Sequence, residues 1–262
     1  MERLSVKLDV GQLSYISEGQ GPALLLLHSL GLSGDAWSKV LEPLAQSYAI
    51  YALDMLGHGY SDKPPRNYLI GDYAQSVVAF ADKLGLERII LCGNSVGALI
   101  ALEVAATHPT RVAELILVGC PAWDAWQRME RLTIAALDYD VEGNPLPPSV
   151  TKLAMHYTQV TPELLEWVSQ QRARAGIWMK KTLIAIGLYD VIPKLPMVKC
   201  PTLVLFGSQD ILREQEKILL EGIKGARHAV VENAGHLPQI DNPQGFLREV
   251  NQFLSSRRES AE

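Results

Sequence analysis

The residues best placed to do chemistry lie mid-chain, in Arg88-Ile89-Ile90-Leu91-Cys92-Gly93-Asn94-Ser95-Val96-Gly97-Ala98-Leu99. A short apolar run leads into Gly-x-Ser-x-Gly, and a stretch rich in Ala and Leu follows. That order reads as a buried strand, a sharp turn and a helix. Such a turn holds its serine strained and exposed, and the flanking glycines let strand and helix approach closely. The hydroxyl then stands at a helix N-terminus, where the dipole favours a developing anion. The expected chemistry is nucleophilic attack by Ser95; the plainer reading is a serine that caps a helix.

Four more motifs accompany the serine. Leu27-His28-Ser29-Leu30-Gly31 is followed by Trp37, and Asp54-Met55-Leu56-Gly57-His58-Gly59-Tyr60-Ser61-Asp62 lies further on. Pro201 to Asp210 reads as a strand ending in Gly-x-x-Asp, and Ala234-Gly235-His236 comes near the end. In this order the five motifs resemble those of the α/β-hydrolase superfamily, over nearly the whole chain. Within it the nearest look is to esterases, enol-lactonases and the carbon–carbon hydrolases of ring-fission products.

The resemblance implies a catalytic Ser…Asp…His order, which Ser95, Asp210 and His236 supply. A serine hydroxyl needs a base such as His236, and the imidazole needs a carboxylate to fix its tautomer. It also implies an oxyanion hole from the backbone N–H of Val96 and one from the His28–Gly31 loop, that of Leu30. Ser29 stands where the family usually has glycine, so its Cβ could reshape the loop. Its hydroxyl could contact substrate, or the residue could merely fill space. Asp124 follows the preceding strand, a position some relatives use for the acid, and is the alternative to Asp210. His28 and His58 are expected to organise loops, and His108 to close the helix after Ser95. His156 lies in the insertion and could touch substrate, though an exposed helix residue is the expectation, and His228 carries no motif.

These residues must be positioned by strands and helices in alternation. Leu13–Ile16, Ala23–Leu27, Tyr48–Leu53, Arg88–Cys92, Glu114–Val118, Thr202–Phe206 and Ala229–Val231 read as strands. Most are continuously apolar, as expected of parallel strands covered on both faces. Ala36–Ala45, Tyr73–Leu84, Ala98–Thr107, Glu214–Gly222 and Gln244–Leu254 have helical spacing. The expected architecture is an α/β fold, a mostly parallel doubly wound sheet. The rhythm fails between Pro121 and Pro201, where Trp123, Trp126, Trp167 and Trp178 fall. We expect residues 1–121 and 196–262 to form the core domain. Residues 122–195 would form an apolar helical cap inserted between two late strands. The tail Arg257–Glu262 reads as frayed.

Composition narrows the setting. Of 262 residues, 48% are hydrophobic and 20% charged, which argues against disorder. The formal charge of −5, without a basic block, makes nucleic acid or an anionic membrane a poor partner. Cys92, Cys120 and Cys200 show no metal-binding spacing, and the histidines are scattered, so neither metal nor cofactor is expected. No signal-like segment opens the sequence, and a cytoplasmic location is expected. The partner expected is a small molecule; the sequence leaves oligomeric state open.

The function expected is a serine hydrolase cleaving a small, largely apolar carboxylic ester or lactone through an acyl-enzyme on Ser95. The alternative is a carbon–carbon bond hydrolase of a ring-fission dienone. Gly93-Asn94-Ser95 and the segment Thr161–Glu166, followed by Arg172 and Arg174, resemble that group. Leu237 after the final histidine, and Asp210-Ile211-Leu212-Arg213-Glu214 after the acid, depart from it. An acidic dienone would call for an arginine in the pocket, and the sequence does not say whether Arg172 or Arg174 enters it. A non-catalytic or non-hydrolytic ligand-binding member of the fold is the alternative of another class.

Overall fold

The computed structural model describes residues 2–258. Among them, β1 (Glu2–Leu8), β2 (Gly11–Glu18), β3 (Ala23–Leu27), β4 (Ala49–Leu53), β5 (Ile89–Asn94), β6 (Val112–Val118), β7 (Thr202–Gly207) and β8 (Arg227–Val231) form one sheet. The strands lie in the order β1-β2-β4-β3-β5-β6-β7-β8. Pairing is antiparallel from β1 to β2 and β2 to β4, and parallel from β4 onward. The sheet is thus mostly parallel, as expected. The first strand is an addition: Glu2–Leu8 lies at the edge with Leu4, Val6 and Leu8 alternating against polar residues.

Three helices, α1 (Ser38–Ala45), α2 (Ile70–Lys83) and α3 (Val96–Thr107), follow β3, β4 and β5. Four more, α4 (Ala125–Ala135), α5 (Val150–Leu153), α6 (Pro162–Ala175) and α7 (Ile177–Leu188), all fall between β6 and β7. The last three are α8 (Glu216–Gly222), α9 (Pro238–Asp241) and α10 (Pro243–Arg258). Arg257 and Arg258, expected in a frayed tail, end α10; Glu259–Glu262 lie outside the described residues.

The pleat explains why the central strands read as unbroken apolar runs. Successive side chains point to opposite faces. Leu25, Leu27, Leu91 and Phe206 pack with residues of α2 and α3, whereas Leu24, Leu26, Cys92 and Leu205 pack with α1 and α10. Each such leucine, fully withdrawn from water, contributes about 1.5–3 kcal/mol. Helix α3 is buried along all but its last residue, and so is apolar on every side instead of amphipathic. Its single charge, Glu103, accepts hydrogen bonds from Tyr189 Oη at 2.7 Å and Lys194 Nζ at 3.0 Å. The end of the helical insertion is thereby tied to the core helix.

The insertion starts its helices with side-chain caps. Asp124 accepts from the Gln127 N–H at 2.8 Å, and Thr161 Oγ1 from the Leu164 N–H at 3.2 Å. Its tryptophans do not act alike. Trp178 is fully buried, in edge contact with Tyr68, while Trp126 on α4 is largely exposed. No residue of α4 is buried, whereas α6 and α7 bury Val168, Ala175, Trp178 and Met179.

Candidate active site

The parallel strands end on one side of the molecule, and the candidate residues gather there. Ser95 leaves β5 with φ 58° and ψ −116°, a conformation non-glycine residues rarely adopt, and α3 begins at the next residue. Its N–H donates to the Val118 carbonyl at 2.9 Å, and its own carbonyl accepts from the N–H groups of Ala98 and Leu99. The glycines around it are required by space. A Cβ on Gly93 would stand 2.1 Å from the Gly97 carbonyl oxygen, and one on Gly97 would stand 2.2 Å from that of Leu27. Strand, helix and the loop after β3 therefore meet at a distance only glycine permits.

His236 and Asp210 come together from the loops after β8 and β7. Histidine Nδ1 lies 3.0 Å from Oδ1 and 3.1 Å from Oδ2 of Asp210, and both side chains are buried. With a carboxylate on that side, the Nδ1–H donates and Nε2 is left as an acceptor. Asp210 is itself held: its Oδ1 accepts from the Leu212 N–H at 2.9 Å. The histidine backbone is fixed at both polar groups. Its N–H donates to the His156 carbonyl at 2.8 Å, and its carbonyl accepts from Asn94 Nδ2 at 3.0 Å. Asn94 also donates to Val118, so the residue before Ser95 bridges the serine turn to the histidine loop.

The loop Leu27–Gly31 lies against the start of α3, as the contact at Gly97 requires. As first residue of α3, Val96 has an N–H with no intrahelical acceptor. The Leu30 N–H donates to no described residue. The backbone at Ser29 does not need glycine, because the loop places its positive φ, 75°, at Gly31. Ser29 is buried, and its carbonyl accepts from His28 Nδ1 at 2.8 Å and from the Leu32 N–H at 3.2 Å. On its other side, His28 Nε2 accepts from the Met55 N–H at 3.0 Å. Burial pushes the His28 pKa down to about 4 and that of His58, 5.4 Å away, to about 3. Both are held as neutral rings, and His28 links its loop to the Met55 backbone, whereas His58 Nε2 is buried without a hydrogen-bond partner.

The structure separates the remaining candidates. Asp124 is exposed and caps α4, away from the paired His236. His108 ends α3. His228 is exposed on β8. His156 departs from expectation: it lies in a turn after α5 with its ring 5.5 Å from that of His236. Burial, reinforced by His236, pushes its pKa down to about 4. Arg174 leaves the site and stacks at 4.1 Å on Tyr60. Arg172, two residues earlier, turns inward: a Cβ on Gly31 would stand 3.4 Å from its Cγ and 2.9 Å from Met179 Sδ.

One residue had no motif to mark it. Gly119, after β6, has φ 54°, and a Cβ there would stand 2.8 Å from the His236 ring and 2.9 Å from Asp210 Oδ2. It keeps open the space in which the pair sits. The only sign in the sequence was a glycine directly at a strand end.

A family model described as the alpha/beta hydrolase fold matches residues 22–243. A pimeloyl-[acyl-carrier protein] methyl ester esterase of Aeromonas hydrophila is 28% identical over 251 residues, covering 90% of this chain and 96% of that protein. A 3-oxoadipate enol-lactonase of Acinetobacter baylyi is 27% identical over 256 residues, covering 92% of each. Among solved structures, that of a membrane phospholipase A superposes with a TM-score of 0.84 at 28% identity, covering 98% of this chain and 86% of that one.

Proposed function

The chain belongs to the alpha/beta hydrolase fold family, and within it we propose a serine hydrolase that cleaves a small carboxylic ester or lactone. The observation that carries the proposal is the strained Ser95 at the strand–helix turn, tied through Asn94 to the buried His236–Asp210 pair. The similar esterase and enol-lactonase support this bond type. Residues 122–195 act as the cap, since Arg172, Met179 and His156 lie over the loop and histidine of the core.

In this reading Ser95 Oγ attacks the carbonyl carbon while His236 Nε2 takes its proton. Asp210, held on Nδ1, fixes the tautomer and stabilises the imidazolium. The N–H groups of Leu30 and Val96 bind the oxyanion of the tetrahedral intermediate. Collapse of that intermediate transfers the proton from His236 to the leaving alcohol and leaves an acyl group on Ser95. Water, deprotonated by the same ring, then releases the acid. Hydrolysis of p-nitrophenyl acetate and butyrate by the wild type, lost in Ser95→Ala, tests it. Equal turnover by the two proteins would refute Ser95 as nucleophile, and no turnover by the wild type would favour a ligand-binding role.

A carbon–carbon hydrolase of an acidic dienone is the second reading, and the inward Arg172 is the observation that favours it. Leu237 and the Asp210–Glu214 run argue against it. Dienone turnover exceeding ester turnover by orders of magnitude, followed by loss of visible absorbance, would reverse the ranking.

A further inference from the structure

Arg172 has a position that packing alone does not explain. It falls in the last turn of α6, where a cation is favoured by the helix dipole, and Arg174 shares that turn. Arg174 places its charge over the exposed face of Tyr60. Arg172 instead lays its stem over Gly31, next to the proposed oxyanion donor Leu30. Its Nε is buried without a hydrogen-bond partner, and the guanidinium forms no ion pair with any described residue. Desolvation lowers its pKa, the expected penalty on a cation withdrawn from water without a carboxylate.

What surrounds the guanidinium is polar and lacks an acid of its own. Its charge is felt by Tyr139 and Tyr157, both buried, and by His156. His156 Nδ1 is also buried and unpartnered, and that ring lies beside His236. The nearby carboxylate felt at His156 is Asp210, already engaged with His236. Arg172 is half-buried with its Nε unpartnered, and an anion with bidentate geometry is what would engage its guanidinium.

We propose that Arg172 is a specificity-determining residue that binds a free carboxylate carried by the substrate, so that the ester or lactone cleaved is that of a dicarboxylic acid. The proposal rests on the hydrolase reading for the bond broken, but the carboxylate site can be tested without turnover. The scissile carbonyl would sit at Leu30 and Val96, with the second carboxylate on the Gly31 side under α6. It also refines the expectation of a small, largely apolar substrate by adding one charged group, set against the Arg172 stem that lies over Gly31.

The experiment has two arms. In the first, calorimetry measures binding of monomethyl glutarate and monomethyl adipate to Ser95→Ala and to Ser95→Ala/Arg172→Met, with methyl hexanoate as the neutral probe. We expect Ser95→Ala to bind a hemi-ester at least about tenfold more tightly than methyl hexanoate, and Arg172→Met to remove that preference; a lost charge-assisted contact is large enough to do so. In the second, wild type, Arg172→Lys, Arg172→Met and Arg174→Met hydrolyse the same esters in a pH-stat. The hemi-ester to neutral-ester ratio of kcat/KM should fall about 100-fold in Arg172→Met, fall less in Arg172→Lys, and persist in Arg174→Met. Equal binding of charged and neutral esters, or a preference that survives Arg172→Met, overturns the proposal. Arg172-dependent hemi-ester binding without turnover of any ester would uphold the carboxylate site and reject the hydrolase reading.

Discussion

Replacing Ser95 by glycine should make the protein more stable than replacing it by alanine, although both changes remove the nucleophile. At φ 58° and ψ −116° the residue occupies backbone space that costs a side chain about 1–3 kcal/mol. Alanine keeps the Cβ and therefore the strain. Glycine releases it but gains freedom in the unfolded chain, which offsets about 0.5–1 kcal/mol. The backbone bonds of residue 95 to Val118, Ala98 and Leu99 are available to either residue, so they cancel in the comparison. The net difference is about 0.5–2 kcal/mol in favour of glycine. For a chain of this size that corresponds to roughly 1–8 °C in Tm. Differential scanning calorimetry of the two variants at one pH measures it directly. If Ser95→Gly melts at or below Ser95→Ala, the turn is not strained and the account of Ser95 as a forced, exposed nucleophile loses its physical basis.

Two other predictions test the acid and the buried histidines. Asp210→Asn should lower kcat by about 10³–10⁴-fold, because an amide stabilises the wrong imidazole tautomer, whereas Asp124→Asn should leave it within about twofold since asparagine also caps a helix. The reverse pattern would make Asp124 the acid. Stability should fall as pH drops from about 6.5 towards 4, because burial holds His28, His58 and His156 neutral in the folded protein while the unfolded chain takes up protons. Each contributes up to about 1.4 kcal/mol per pH unit in that window. Urea unfolding at successive pH values reads the slope, and a flat profile between pH 6.5 and 4.5 would contradict it.

What could be read in advance was what local sterics impose. The glycines at 93 and 97 are forced by contacts within the turn and its neighbouring strand, so their spacing was visible. The strands Ala23–Leu27 and Thr202–Phe206 were visible because burial on both faces leaves almost unbroken apolar runs. The edge strand β1 carried a legible alternation but not the continuous pattern used to find its neighbours. Gly119 was not legible, because the ring and carboxylate it accommodates come from distant parts of the chain. His156 sits in a turn whose burial arises only when the insertion packs on the histidine loop. Arg172 and Arg174 are about 200° apart around a helix. Opposite directions were therefore implied, but which one pointed inward depended on how α6 docks.

The central claim is that Ser95 is the covalent nucleophile, and a fluorophosphonate tests it most directly. Intact protein treated with the reagent should gain one phosphonyl adduct, which peptide mass spectrometry should place on Ser95. The adduct should be absent from Ser95→Ala, and esterase activity should disappear in step with labelling. An unlabelled protein that still hydrolyses esters, or an adduct on another residue with Ser95→Ala fully active, would contradict the account.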